Sequence, residues 1–232
     1  MKNQISLLFI LIGFYGFSQN DYTSVSEVDN NYREDQFYAS VTYNLLNEKP
    51  DGVSQTGFSS GFHFGFIRDM PINERRNVSI GLGLGISANS YNQKNLLIKE
   101  TNKTISFTEI NESDYNVSKN KFATYLVEVP LEIRWRTSTA EDYNFWRIYT
   151  GFKIGYLVYN TTTFKSDLDN ERLSNIDSFN KMQYGLTLSA GYSTWNFHVY
   201  YGLNSIFDNN VEFEGESINM KSLKIGLMFY VL

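Results

Sequence analysis

A small set of charged and imidazole side chains could carry chemistry in this sequence, and they lie in short alternating segments. Glu128, Glu132 and Arg134 share parity in one segment, and Arg147 and Lys153 share parity in the next. Such groups could form a buried ion-pair network, an ion or proton path, or an acid–base site. The full candidate set is Glu128, Glu132, Arg134, Arg147, Lys153, Lys224, His63 and His198.

We interpret this set as a structural charge network inside a barrel lumen. A hydrolytic site would need a histidine clustered with Ser, Asp or Glu at an accessible rim. His63 and His198 are instead predicted in the middle of strands. The absence of Cys excludes a thiolate zinc site and a cysteine nucleophile, and the acidic residues within 160–181 miss the calcium-loop spacing. We therefore predict no catalytic, cofactor or metal site.

Period-two alternation is the main structural signal. Throughout residues 77–89 the even positions are Val, Ile, Leu or Ala, and the odd positions are Asn, Ser or Gly. The solvent face of a soluble sheet would normally carry charged residues and few glycines. An apolar face backed by a row of small residues is typical of a strand that faces lipid outside and a narrow lumen inside.

The same alternation recurs along the chain and predicts eight strands. These lie near residues 35–46, 57–68, 77–89, 122–136, 145–159, 182–192, 195–205 and 221–232. Long polar connections (47–56, 91–121, 160–181, 206–218) alternate with short ones (69–76, 137–143, 193–194). We therefore predict an all-β fold, an eight-stranded antiparallel up-and-down outer-membrane barrel with short periplasmic turns.

The lumen of such a barrel is filled by side chains, so a wide pore is not expected. If the fourth and fifth strands pair around a turn at 137–143, Glu132 lies beside Arg147 and Glu128 lies diagonal to Lys153. Tyr38, Tyr149 and Tyr200 are also predicted on the inner face, where they would pack as part of the plug.

The N-terminus predicts export. Residues 1–18 have the basic, apolar and small-residue regions of a signal peptide, residues 19–34 form a flexible periplasmic lead-in, and residues 35–232 form the barrel domain. The net charge is -5 without a basic stripe, which argues against nucleic-acid binding. Mean hydropathy is only -0.34 because the apolar face occupies every second residue.

Several stretches resemble the PorT/SprT family of Bacteroidetes outer-membrane barrel proteins. The particular matches are Asp69–Asn73 and Phe145–Tyr149, while the Glu-Val-Pro-Leu strand at 128–131 is shared with a wider superfamily of porin-like barrels. The resemblance extends over about 35–232, and the stretches that carry it are 66–73, 80–91, 126–139, 145–156 and 195–204.

This resemblance implies a non-enzymatic role in type IX secretion, and in gliding species an association with motility. The protein would support export of substrates with a C-terminal secretion signal, with outer-membrane lipid and other secretion-system proteins as partners. The family offers no catalytic or ligand residues to carry over. Two alternatives stay open: a narrow channel or ligand-binding barrel unrelated to secretion, and a rim hydrolase or acyltransferase.

The barrel prediction is tested by electrophoresis with and without boiling. A closed barrel resists detergent, so the unboiled mature protein should migrate differently from the boiled protein. A mature chain that is soluble without detergent and insensitive to boiling would contradict the prediction.

Overall fold

A computed structural model describes residues 34–101, 104–110, 116–138 and 145–231. The predicted signal peptide at 1–18, and all but the last residue of the predicted lead-in at 19–34, lie outside the described residues. Within the described chain, no helix is long and apolar enough to cross a membrane. The strands are β1 (Gln36–Asn47), β2 (Ser60–Pro71), β3 (Val78–Asn92), β4 (Leu96–Thr101), β5 (Thr104–Glu109), β6 (Val117–Arg136), β7 (Trp146–Ser166), β8 (Asn170–Ser174), β9 (Met182–Tyr192), β10 (Trp195–Gly202), β11 (Glu212–Phe213), β12 (Glu216–Ser217) and β13 (Lys221–Val231).

Eight of these strands close into an antiparallel barrel. Their order is β1-β2-β3-β6-β7-β9-β10-β13, and β13 pairs with β1 to complete the ring. Each barrel strand therefore hydrogen-bonds to two neighbours, as a spanning structure requires in a medium without water. The predicted eight-stranded up-and-down barrel is confirmed.

The alternation of side chains between the two faces follows the predicted parity. Outward residues such as Leu84 and Ile133 are 62% and 60% exposed, whereas the inward tyrosines Tyr38, Tyr149 and Tyr200 are buried. Glycines on the inner face make room for tyrosine rings. A Cβ atom at Gly65 would lie 2.6 Å from the Tyr38 ring, so only glycine fits there without displacement of the tyrosine.

Aromatic residues mark both edges of the outward apolar face. Three exposed tryptophans lie near one end of the barrel: Trp135, Trp146 and Trp195. This end carries the short connections, and the first barrel strand starts and the last one finishes there. Tyr125 and Tyr159, with ring centroids 5.6 Å apart, lie near the opposite edge. Such girdles lie at the two membrane interfaces. The end with the short turns faces the periplasm by the general pattern of these barrels, and the end with the long connections faces outward.

The long outer connections fold into a compact cap. We call the described residues of 48–59, 93–116, 167–181 and 203–220 the cap. In it, β4 pairs with β5, while β11 pairs with both β5 and β12. Strand β8 extends the barrel sheet by pairing with the outer part of β7. The sequence predicts these segments only as long polar connections and does not predict the short strands that they contain.

An apolar core holds the cap against the outer mouth of the barrel. Phe207 is fully buried, and its ring centroid lies 5.2 Å from Phe107, 5.3 Å from Phe122 and 4.8 Å from Phe179. Phe122 belongs to barrel strand β6, and it also stacks on Tyr91 of β3 at 4.9 Å. The apolar cluster is therefore continuous from the barrel strands into the cap.

Replacing Phe207 tests whether this core orders the cap. Phe207→Ala should weaken the cap by about 3–5 kcal/mol, because a buried aromatic ring is lost and a cavity is left. Hydrogen exchange of the cap amides should accelerate while the barrel amides stay protected. The matched control is Phe58→Ala, since Phe58 is 66% exposed. Equal exchange in the two variants would contradict a cap held by this core.

Candidate functional site

The inner face of the barrel holds two groups of charged side chains. The group nearer the periplasm centres on Asp69 of β2, which is fully buried. Its Oδ1 accepts from Arg134 Nη1 at 3.1 Å, and its Oδ2 accepts from Arg136 Nη2 at 2.8 Å. Ser79 Oγ donates to Oδ1 at 2.6 Å. One carboxylate therefore neutralises two buried guanidinium groups.

Arg134 ties this group to two further strands, β1 and β7. Its Nε donates to Glu132 Oε2 at 3.2 Å, and its Nη2 donates to Gln36 Oε1 at 2.9 Å. The guanidinium also lies 4.3 Å from the ring centroid of Tyr149, which is within cation–π distance. A buried charge is tolerated when its hydrogen bonds are satisfied, and Arg134 meets that condition.

The second group lies in the middle of the barrel around Glu128. The same carboxylate oxygen, Oε2, lies 3.1 Å from Lys153 Nζ and 3.3 Å from His63 Nδ1. Lys224 Nζ lies 4.8 Å from the ring centroid of Tyr200. Three cationic or ionisable groups thus face one carboxylate in the narrow lumen.

His198 forms a separate hydrogen-bonded pair. Its Nδ1 lies 2.7 Å from Ser189 Oγ, and Tyr230 Oη donates to the same serine at 3.4 Å. A serine beside a histidine resembles a nucleophile with its base. Ser189 and His198 are both only 2% exposed, however. We therefore interpret this hydrogen bond as the partner that the buried His198 imidazole needs within the lumen.

All eight residues singled out from the sequence are buried inside the barrel. None is more than 5% exposed, and the structure brings most of them into contact with one another. The contact between Glu128 and Lys153 follows the diagonal arrangement expected from the sequence. The residues are His63, Glu128, Glu132, Arg134, Arg147, Lys153, His198 and Lys224.

The predicted contact between Glu132 and Arg147 is wrong. Arg147 lies opposite Arg136, and Glu132 lies opposite Gly151, so the true register is shifted from the predicted one. The shift arises where the two strands approach the turn. There the N–H of Thr137 donates a hydrogen bond to the carbonyl oxygen of Trp146, and this bond sets the register of the strands. Glu132 pairs with Arg134 of its own strand instead.

Sequence reasoning missed Asp69, the carboxylate that neutralises two buried guanidinium groups. It was placed in a periplasmic turn, but β2 continues to Pro71. Its odd number gives it the parity of His63 and Gly65, and this was the signal that could have found it. Arg136 also belongs to the network, whereas Arg147 stacks 4.4 Å from the Phe145 ring. Within the described residues, Arg147 Nε and Nη1 have no hydrogen-bond partner.

The lumen offers no arrangement suited to a metal ion among the residues that the structure describes. The charged groups lie in the periplasmic part and the middle of the barrel, and the apolar core lies at its outer mouth. From the periplasmic end outward, the described lumen is therefore filled by paired charges and then by aromatic rings. This arrangement can stabilise the barrel and can prevent solutes from passing through the lumen.

The family comparison agrees with this architecture. Residues 17–208 match the family described as outer membrane protein beta-barrel domain, and the chain belongs to that family. It is therefore an outer-membrane β-barrel protein. No curated protein matches the chain.

Solved barrels show similarity at low identity. The crystal structure of Ail, the attachment invasion locus protein of Yersinia pestis, in complex with the heparin analogue sucrose octasulfate is 11% identical, covering 86% of this chain and 99% of that chain, with a TM-score of 0.39. A triple mutant of the Rhodopseudomonas blastica porin is 10% identical, covering 86% of this chain and 100% of that chain, with a TM-score of 0.22.

The dependence of the barrel on Asp69 is tested by Asp69→Asn. Loss of the charge leaves Arg134 and Arg136 buried without their common anion, so the free energy of unfolding should fall by about 3–5 kcal/mol. Urea unfolding in lipid vesicles, followed by tryptophan fluorescence, measures the change.

The matched control is Glu48→Gln. Glu48 pairs with Lys221 at 2.8 Å, but this ion pair is partly exposed, and its loss should cost less than about 1 kcal/mol. Equal effects of the two substitutions would show that the Asp69 network does not stabilise the barrel.

Proposed function

We propose that this outer-membrane barrel is a non-enzymatic component of type IX protein secretion that acts through its surfaces. The observation that carries the proposal is the filled lumen. A protein whose interior holds paired charges and a cap core presents its periplasmic turns, lipid face and outer cap to other molecules. We further propose that the lumen network, with Asp69 and Glu128 as its anionic centres, is structural.

The filled lumen argues against transport through the barrel. A solute would have to separate Glu128 from Lys153 and then pass the buried rings around Phe207. Separating a buried ion pair and drawing a charge through apolar side chains each costs several kcal/mol. The described interior therefore favours a structural role for the barrel and argues against transport through it.

The secretion pathway is supported by the resemblance to the PorT/SprT family. One of its particular matches, Asp69–Asn73, covers the buried ion-pair centre and the start of a periplasmic turn. In that turn Ile72 is 60% exposed, although it lies beyond the end of β2. We take this exposed side chain as the proposed point of contact with another protein. We assign this turn as a contact surface for a secretion partner.

A narrow ion path is the second candidate. The charged middle of the barrel favours it, because Lys153, Lys224, His63 and Glu128 lie close together in the lumen. Ionisable groups within a membrane protein often mark proton or ion pathways. The apolar cap core stands against this candidate.

Deletion of the gene tests the secretion proposal. Proteins with a C-terminal secretion signal should be lost from the cell surface and restored by the wild-type gene. Ile72→Asp should fail to restore them, because a charge disrupts an apolar contact. The control Leu168→Asp, at an outer residue that is 74% exposed, should restore them.

Unchanged secretion after deletion would refute the pathway. Restoration by Ile72→Asp would remove the periplasmic turn from the proposal but leave the pathway. Planar-bilayer recording of the purified protein separates the two candidates. The scaffold gives no steady conductance, whereas a steady conductance would favour the ion path.

A further inference from the structure

One part of the barrel sheet extends well beyond the outward apolar face. Strands β6 and β7 contain 20 and 21 residues, about twice the 9–11 that a tilted strand needs to cross the bilayer. The outer edge of their lipid-facing surface is marked by Tyr125 and Tyr159. Beyond these tyrosines the same face continues as a three-stranded sheet of β6, β7 and β8.

This extension carries basic side chains in two rows. In the row nearer the membrane, Lys121 of β6 lies opposite Thr163 of β7, which lies opposite Arg172 of β8. In the next row Lys119 lies opposite Lys165. Paired residues of neighbouring strands project from the same face. The parity of Lys119 and Lys121 is that of Tyr125, so the cations continue the lipid-facing side.

The basic residues surround a shallow cavity of about 330 Å³. Small side chains form its floor, because Ala123 and Thr161 lie opposite each other between the cations and the tyrosine pair. We call the cavity formed by Lys119, Lys121, Lys165, Arg172, Thr161 and Thr163 the basic notch. The other face of the same sheet is closed by Phe164, which packs with Leu97 and Ile110.

The cations of the basic notch face one another without acidic partners. Lys119 lies directly opposite Lys165, an arrangement that destabilises a sheet unless an anion lies nearby. Partial burial lowers the pKa of Lys121 below its usual value, and the nearby charges of Lys119 and Arg172 lower it further. Lys121 lies outside the membrane-spanning part of β6. Within the described residues, none of these four cations forms a salt bridge.

Among the described residues, the carboxylates near the basic notch form no ion pair with its cations, although Glu171 Oε2 is buried without a hydrogen-bond partner. Asp169 accepts a hydrogen bond from Lys99 Nζ at 2.8 Å. Glu171 contributes to the cavity wall, but its Oε1 accepts from the backbone N–H of Glu100 at 3.1 Å. Glu171 also lies opposite Phe164, on the face turned away from the cations. The unbalanced positive charge of the basic notch therefore calls for an external anion.

The height of the basic notch indicates which anion reaches it. Lys121 is four residues beyond Tyr125, which is about 13 Å along a strand. With a strand tilt of about 45°, this places it roughly 9 Å above the tyrosine pair. The polar headgroup region extends about 5–8 Å beyond the hydrocarbon core on each side. The Lys121 row thus lies at the outer boundary of the headgroup region on the lipid-facing side, and the Lys119 row lies further out.

We propose that the basic notch binds the phosphate-bearing headgroup of an outer-leaflet glycolipid. The phosphate lies between Lys121 and Arg172, with Thr163 beneath it, and Lys119 and Lys165 bind a second anionic group. The acyl chains of the same lipid continue down the apolar face past Tyr125. This inference is independent of the proposed role in secretion.

Lipid binding by the full-length mature protein tests the inference. The protein, folded in neutral detergent, is titrated with bisphosphorylated lipid A, with lipid A stripped of its phosphates, and with inorganic phosphate. Native mass spectrometry counts bound lipids and gives the dissociation constant. Each basic residue at an anionic surface contributes about fivefold in affinity. Lys119→Gln combined with Lys121→Gln should therefore weaken binding of bisphosphorylated lipid A about 25-fold, and Arg172→Gln alone about fivefold.

The matched control combines Lys49→Gln and Arg75→Gln. It changes the net charge equally, but Lys49 lies in another cap segment and Arg75 lies in the periplasmic turn. The control should bind bisphosphorylated lipid A as the wild type does. Equal binding of the stripped lipid, or wild-type affinity in the Lys119/Lys121 variant, would overturn the proposal. So would displacement of the lipid by an equal concentration of inorganic phosphate, because the site would then recognise a soluble anion.

Discussion

The structure depends on one constraint, which is that no backbone N–H or C=O group can be left unpaired within the hydrocarbon core. A sheet meets this constraint only by closing on itself. Here the pairing of β13 with β1 removes the last free edge, and the chain achieves this with eight strands. Eight strands enclose a space just wide enough for side chains. The contents of the lumen follow from that small diameter.

A narrow interior requires small and large residues to be matched and buried charges to be compensated, and here two carboxylates compensate most of the cations that form ion pairs. Gly65 provides the space that the Tyr38 ring occupies, so the glycines of the inner face are needed for packing. Asp69 compensates Arg134 and Arg136, and Glu128 compensates Lys153. The apolar core above them leaves the buried charges on the periplasmic side and in the middle of the barrel. The same side chains thus fill the barrel and fix its strands.

Since the interior is filled, the surfaces of the barrel are left for interactions. The periplasmic turn exposes Ile72, the outward face is apolar, and the extension beyond the membrane carries the basic notch. We propose that these surfaces are the places where the barrel contacts lipid and protein partners. Membership of the outer-membrane β-barrel family places these surfaces at the outer membrane.

The sequence by itself determined the number of barrel strands and the face to which the residues of those strands point. These properties are local, because neighbouring residues of a strand alternate between lipid and lumen. The register between β6 and β7 depends on how the chain turns between them, and this register separates Arg147 from Glu132. The cap was decided by tertiary structure alone: Phe107, Phe179 and Phe207 are distant in the chain, follow no common period, and pack together only after the barrel brings their segments to one mouth.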